Sequence, residues 1–326
     1  MRLALIGCGA IATRAHLPAF RKIPGVDVVV FAGRSRAKAE AAAASWGSGT
    51  VVDDWRAALA VMGVDAVDIC TPNVHHAEIA LAAISLGLHV LVEKPMATTV
   101  ADADAMVAAA DAAGVVLMPA QNVRFAAPFA AAADAVRSGR IGSPVSFRAA
   151  FGHAGPEGWA PDAAWFLDAA AAGGGALLDL GVHMIDVLHA VVGDEVVEVA
   201  AMTDSDGTAV ERLAQLVLRM GGGAVGTLQA SWSARPAPDH QLTIFGTDGK
   251  LHLDGRTPLT WSAVDGTFER IPLPETGDSP YAAFARAVAG ERPLAIDGRD
   301  GRAAVAVALA AYEAASTRRT ITVEAP

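Results

Sequence analysis

Two cysteines in 326 residues are too few for a disulfide framework or a zinc knuckle. Cys8 and Cys70 are therefore expected as small apolar residues at strand ends, in a protein of the reducing cytoplasm. Charge is also scarce: 18% of residues are charged, and the balance is acidic, with a formal net charge of −10. No long basic run occurs anywhere in the chain, which argues against a binder of nucleic acid or of anionic membrane surfaces. The first residues, MRLALIGCGA, turn glycine-rich too early for a signal peptide and are too short to cross a bilayer. What is abundant is apolar sequence, 53% of the chain, enough for a large core and two domains. Alanine-rich runs such as AEAAAAS and ADADAMVAAADAAG carry charges at helical intervals and read as soluble helices.

Up to about residue 120, short apolar strands alternate with helical stretches. RLALIG, VDVVVFAG, AVDICT, HVLVEK and VVLMPA read as strands, with SRAKAEAAAASW and HHAEIALAAISLG as helices between them. That alternation, with β-branched strands apolar on both faces, predicts a doubly wound parallel α/β sheet. Gly87 after a helix and Pro95 after a strand agree with it. Beyond residue 120 the pattern changes to an alanine-rich helix (about 127–138), a strand-like IGSPVSFRAAF, a Trp- and Pro-containing loop, a glycine run and a long apolar helix. Short strands separated by turn signals follow over 196–272, and helical patterns near 280–290 and 299–316 close the chain. The expected organisation is a doubly wound α/β domain over 1–121 and an α+β domain over 122–326. The latter would be built on a large, mostly antiparallel open sheet.

The stretch LIGCGAIATRAHLPAF sets Gly7, Gly9 and Ala12, with Ala10 and Ile11 between them, at the joint of the first strand and a helix. Gly7 allows a tight turn, Gly9 lets the backbone approach a pyrophosphate, and Ala12 permits close helix–strand packing. The helix N-terminus then favours the phosphate charge. The base preference is read at the end of the second strand, where an NAD site usually places Asp or Glu. Here the sequence is FAGRSRAKAE. Gly33 stands near that position, with Arg34, Ser35, Arg36 and Lys38 after it, so NADP is expected in preference to NAD.

Two further features point to chemistry. The strand HVLVEKP ends in Glu93-Lys94-Pro95, and carboxyl ends of strands in a doubly wound sheet border the cofactor crevice. The apolar helix GGGALLDLGVHMIDVLHAVVG contains Asp179, His183 and Asp186, which on a regular α-helix fall within an arc of roughly 60°. A buried helix with one polar stripe must satisfy those groups in a ligand pocket or in a structural network. No further cluster with metal-ligand spacing accompanies them, so no metal is expected. The glycines at 173–175 either let the backbone approach a ligand or form a plain loop.

At this point the chain resembles the Gfo/Idh/MocA family, the glucose–fructose oxidoreductase and inositol dehydrogenase superfamily, along nearly its whole length. The marks are Gly7-x-Gly9-x-x-Ala12, TPNVHHAEIALAAISLGLHVLVEKP, QNVRFAAPF, AGGGALLDLGVHMIDVLHAVVG and LTIFGTDGKLHLDG. The resemblance implies a Rossmann domain followed by an α+β substrate domain, and NAD(P)-dependent transfer of hydride to or from a sugar, cyclitol or related polyol. It implies Lys94 as the catalytic lysine and Asp179 with His183 as the active-site pair. In this reading His183 takes the hydroxyl proton, Lys94 stabilises the oxygen and Asp179 favours the imidazolium. Thr71, Pro72, Asn73, His76 and Glu93 would line the cofactor, as would Arg124 at the start of the second domain.

His153 and Trp165 are expected substrate contacts, with Trp159, Trp232 and Arg235 as further walls. His16 and Arg14, beside the first turn, are within reach of the pocket but are expected on a helix surface. One departure stands out: many relatives carry Trp-Arg before the glycine run, where this chain has Trp165-Phe166. Relatives commonly form homodimers or homotetramers through the open sheet, here through alternate residues of 214–253. The competing readings are a non-enzymatic NAD(P)-binding regulator of the same fold and a zinc-dependent dehydrogenase.

Overall fold

In the computed structural model, residues 1–160, 164–205, 207–234, 239–254, 258–273, 278–291 and 294–324 are described. The chain divides into two compact units, Met1–Ala120 with Ser279–Arg302, and Gln121–Asp278 with Ala303–Pro326.

The first unit carries β1 (Arg2–Ile6), a π-helical turn (Ala12–His16) running into α1 (Leu17–Phe20), β2 (Asp27–Ala32) and α2 (Arg36–Trp46). It continues through β3 (Thr50–Val52), α3 (Trp55–Leu59), β4 (Ala66–Ile69), α4 (His76–Ser85), β5 (His89–Val92), α5 (Val100–Ala113) and β6 (Leu117–Pro119). The strands form one sheet in the order β3-β2-β1-β4-β5-β6, every neighbouring pair parallel. Ligands of such sheets bind outside the carboxyl ends of the strands where the order reverses, here between β1 and β4. β1, β2, β4 and β5 are almost wholly buried, as runs that are apolar in their interiors, Asp68 of β4 excepted, demand of strands covered on both faces. Helix starts follow local chemistry: Ser35 accepts from Lys38 N at 3.4 Å and Thr99 from Asp102 N at 3.0 Å, each satisfying an otherwise unpaired first-turn N–H. Of the six strands, β3 was not among those expected. With three residues at the sheet edge it is too short to show a period.

Ser279–Arg302 joins this unit through α9 (Pro280–Val288). Tyr281 packs edge-on against Phe20 at 5.3 Å between ring centroids. Arg299 pairs with Asp111 at 2.5 Å, and the buried Arg302 with Asp104 at 2.8 Å. Helix α10 (Gly298–Thr317) begins within this segment. The contact division therefore differs from the linear one by a stretch that comes back late in the chain.

The second unit holds α6 (Ala127–Arg137), β7 (Pro144–Gly152), α7 (Ala169–Ala172), a π-helical turn (Leu177–Gly181) and α8 (Val182–Val192). It continues with β8 (Val196–Asp204), β9 (Leu213–Met220), β10 (Val225–Ser231), β11 (Asp239–Gly246), β12 (Gly249–Asp254), β13 (Thr260–Ala263), β14 (Phe268–Arg270) and β15 (Ile321–Thr322). Its nine-stranded sheet runs β14-β13-β12-β11-β7-β10-β9-β8-β15. Only the pairing of β7 with β10 is parallel, and the rest is antiparallel. β9 alternates strictly, with Ala214, Leu216, Leu218 and Met220 buried and Gln215, Val217 and Arg219 exposed, the period-2 pattern of a sheet with one covered face. By length and composition Ala169–Val192 is apolar enough to cross a membrane, yet 83% of its 18-residue apolar window is buried within the protein. Its apolar surface is the core on which the sheet packs, through Leu177 and Ala230 beside Gly181.

Candidate active site

The glycine turn after β1 separates into one glycine needed by the fold and one left open. Gly7 sits at φ +100°, and a Cβ there would lie 2.4 Å from the carbonyl oxygen of Cys70. Gly9 would meet nothing within 4 Å, so its backbone faces open space at the mouth of the helix. Ala12 is fully buried, and Thr13 N closes the first turn on Gly9 O at 3.1 Å. Beside this turn, the hydroxyl oxygen of Thr71 is buried and has no hydrogen-bond partner. An uncovered backbone at a helix start and a buried hydroxyl awaiting a partner both fit a dinucleotide's phosphate and ribose groups.

After β2, Gly33 N donates to Val52 O at 3.4 Å, and Arg34, Ser35, Arg36 and Lys38 are all exposed. Arg36 is held by Glu40 at 2.9 Å and by Asp53 at 3.1 Å. A carboxylate thus does stand close by, on the neighbouring strand end rather than on β2. That arrangement is invisible in a reading along the chain, because the two residues are brought together by sheet order.

At the ends of β4 and β5 the expected residues form a tightly braced pair of turns. His76 is fully buried, its Nδ1 2.8 Å from Pro95 O and its Nε2 2.9 Å from Thr71 O. It ties the two turns together, and burial holds its pKa below the ordinary imidazole value. Asn73 is buried and opens a short helical turn. Glu93 is buried, Lys94 partly exposed, and Glu93 Oε2 accepts from the Lys94 backbone N–H at 3.1 Å.

His16, expected on a helix surface, is instead fully buried. Its Nδ1 lies 2.9 Å from Asp68 Oδ2 and its Nε2 2.9 Å from Glu93 Oε1, while Arg14 is exposed. The physical reason is the π-helical turn, which changes the facing of residues that a regular helix would turn outward. Asp68 was missed as well, although an aspartate in the middle of the apolar strand AVDI was the signal that a buried partner had to exist. His16, Asp68 and Cys70 have donor atoms within 4.8 Å of one another. The 2.9 Å imidazole–carboxylate distances are those of proton-bridged groups.

In the second unit the helix of residues 177–192 carries the other expected pair, again across a π-helical turn, so the three polar residues do not follow a single α-helical stripe. Asp179 and His183 are buried. Asp179 Oδ2 accepts from Trp232 Nε1 at 2.8 Å and faces His153 Nε2 at 3.5 Å. Because His153 Nδ1 accepts from Gly155 N at 3.0 Å, the proton of the neutral ring sits on Nε2 and points at that carboxylate. The His183 ring lies 5.8 Å from that of Phe151, centroid to centroid. Asp186 is engaged by Arg124 through two hydrogen bonds, one from Nε at 2.7 Å to Oδ2 and one from Nη2 to Oδ1. This bidentate pair holds the start of the second unit to the helix.

Trp165 stacks on Phe166 at 4.0 Å, and Phe166 meets Trp159 and Trp232 edge-on. An aromatic cluster therefore stands at the position where the resemblance implies a guanidinium. Arg235 lies outside the described residues.

The glycine run turns out to be a seat for the helix. A Cβ at Gly175 would lie 1.9 Å from Glu211 O, and one at Gly174 would lie 2.2 Å from the Tyr312 hydroxyl. The Glu211 carboxylate accepts from Gly175 N at 2.9 Å, Leu177 N at 2.8 Å and the Tyr312 hydroxyl at 2.8 Å, and burial raises its pKa. Glu211→Ala strands two backbone donors and a phenol in the interior, so urea unfolding is expected to show a loss of roughly 3 kcal/mol.

The family profile described as "Oxidoreductase family, NAD-binding Rossmann fold" matches residues 1–121, and that of the "GFO/IDH/MocA C-terminal domain" matches residues 129–252. The 1,5-anhydro-D-fructose reductase of Ensifer adhaerens is 33% identical over 339 residues, spanning 99% of this chain and 98% of that protein. The D-apiose dehydrogenase of Paraburkholderia graminis is 30% identical, spanning 98% and 88%. Among solved structures, levoglucosan dehydrogenase in complex with NADH and levoglucosan superposes with a TM-score of 0.86 at 27% identity, covering both chains fully.

Proposed function

The chain belongs to the Gfo/Idh/MocA family of oxidoreductases, and from that premise we propose that it moves a hydride between a nicotinamide and the carbinol carbon of a sugar, cyclitol or related polyol or ketose. The observation that carries the reading is the burial of Asp179 and His183, 5% and 6% exposed, on a helix that is otherwise apolar core. Charged and imidazole groups are retained in such a place for chemistry or for a network that serves it.

The bound nicotinamide supplies the hydride acceptor or donor. In the oxidative direction His183 takes the proton of the substrate hydroxyl. Lys94 hydrogen-bonds the same oxygen and stabilises the negative charge that develops there. Asp179, fixed by the Trp232 indole N–H, favours the protonated imidazole. In reduction the same groups return the proton to the carbonyl oxygen. Gly7, Gly9, Ala10, Ile11 and Ala12 hold the pyrophosphate turn, and Thr71, Pro72, Asn73 and Glu93 the nicotinamide side. His153 and Trp165 contact the sugar.

NADP is the preferred cofactor in this reading. Gly33 leaves the end of β2 without an acid, and Arg34, Ser35 and Lys38 supply donors for a 2′-phosphate. The outer face of the large sheet, with Val217 at 50% and Met202 at 80% exposure, is the proposed surface for a homodimer or homotetramer. Two buried free thiols suit the cytoplasm.

The test is a panel of 1,5-anhydro-D-fructose, D-apiose, levoglucosan and myo-inositol with NADP(H) and NAD(H), followed by nicotinamide absorbance. Turnover with at least one member is expected, and a KM for the phosphorylated cofactor about tenfold lower, the worth of roughly 1.4 kcal/mol. Cofactor binding without turnover across a broad sugar panel would favour the regulator, and a clear preference for NAD(H) would remove the NADP assignment.

A further inference from the structure

His16 sits on the helix that begins at the glycine turn, yet both its ring nitrogens are spent elsewhere. Nδ1 lies 3.0 and 2.9 Å from the two oxygens of Asp68, and Nε2 lies 2.9 Å from Glu93 Oε1. The second oxygen of Glu93 accepts from the backbone N–H of Lys94. A carboxylate only accepts, and a neutral imidazole donates from one nitrogen. With both acids ionised, two carboxylates at hydrogen-bond distance on opposite sides of one fully buried ring call for protons on both nitrogens. The remaining titratable groups facing the ring are Cys70, with Sγ 3.4 Å from Nδ1, and Tyr281, whose ring lies 4.7 Å away, centroid to centroid. Burial raises both of their pKa values, so they are neutral beside the cluster. Burial alone would lower the pKa of His16, but the Asp68 carboxylate against Nδ1 outweighs it and holds it well above the ordinary imidazole value.

We propose that His16 is a permanently protonated positioning residue, gripping Glu93 from one side so that the turn carrying Lys94 is held in a single orientation. The inference rests on the reading of Lys94 as the reactive lysine. His76 supports the same turn from its far side by meeting Pro95 O, so Lys94 is flanked by two imidazole braces. The glycine turn and the lysine turn thereby become one rigid piece: the helix that presents its N-terminus to the phosphates also supplies the cation that fixes the lysine. A displacement of about 1 Å in a reacting group costs on the order of 10²-fold in rate, which sets the size of the effect expected when the grip is lost.

The test begins with the cofactor-free wild-type protein, 15N-labelled at histidine. The His16 ring is expected to stay doubly protonated after ordinary imidazoles, which titrate near pH ~6.5, have lost their proton. In Asp68→Asn the ring loses its stronger counter-charge. Its titration is expected to fall by a pH unit or more, and kcat to acquire a matching alkaline decline of about 10- to 100-fold with the Kd for NADP(H) kept. A His16 that deprotonates near neutral pH in the wild type overturns the proposal without any variant being needed, as does one equivalent of a transition metal retained on the purified protein. An Asp68→Asn protein whose His16 titration moves while the kcat profile does not also overturns it. Lys94→Ala separates the two readings: if turnover survives, the lysine assignment falls, and the protonation state of His16 is still decided in the cofactor-free protein.

Discussion

Lys94→Ala and His183→Ala proteins will each turn over substrate about 10²- to 10⁴-fold more slowly than the intact enzyme, while binding NAD(P) within a few-fold of its affinity. The expectation follows from what the proposed chemistry asks of each group at the substrate oxygen. Without His183 the hydroxyl proton has no positioned acceptor, and without Lys94 the developing alkoxide loses its cationic donor. Both losses appear only as charge develops, so kcat and kcat/KM should fall together. The double variant should cost far less than the product of the two single losses, because the groups serve the same step. Single-turnover kinetics with a fluorescence titration of the cofactor check this. Two intact turnover rates would sink the assignment, and loss of cofactor binding in His183→Ala would mean that the residue supports the fold.

The second large effect separates two glycines two positions apart. Gly9→Ala is expected to fold like the wild type, since its Cβ meets nothing within 4 Å, yet to lose cofactor affinity by on the order of 10- to 100-fold, or ~1.4–2.8 kcal/mol. The added methyl occupies the space that a pyrophosphate would take. Gly7→Ala fails for a different reason. At φ +100° with Cys70 O only 2.4 Å from the new atom, backbone strain and overpacking add to roughly 2–5 kcal/mol of lost stability. Thermal unfolding combined with calorimetric titration distinguishes the two. A Gly9→Ala protein that binds cofactor normally would remove the phosphate from this turn.

Much of this architecture could be read along the chain because it is written in local periods. Strands such as β1 beyond Arg2 and β2 beyond Asp27 are unbroken apolar runs, and β9 shows its covered face by strict alternation. Cap residues and glycines mark the ends between them. What escaped depends on geometry that no local period encodes. The two π-helical turns, Ala12–His16 and Leu177–Gly181, alter the facing of His16 and of Asp179 relative to a regular helix. The pairing of Arg36 with Asp53 arises from strand order, and β3 is too short to announce itself. The glycine run at 173–175, expected either to let the backbone approach a ligand or to form a plain loop, packs instead at Gly174 and Gly175 against Tyr312 and Glu211, residues far away in number. Asp68 alone left a trace, as an acid within an apolar strand.

The late-returning segment Ser279–Arg302 bears on how the polypeptide is made. A ribosome that has emitted the first 120 residues has delivered every strand of the parallel sheet. It has not yet delivered the aromatic cover over Phe20 or the arginines that neutralise Asp104 and Asp111. The nucleotide-binding half is thus left uncapped through most of translation and closes only near its end. A piece severed after Ala120 should come out of cells as a sticky, protease-sensitive intermediate and not as a portable cassette.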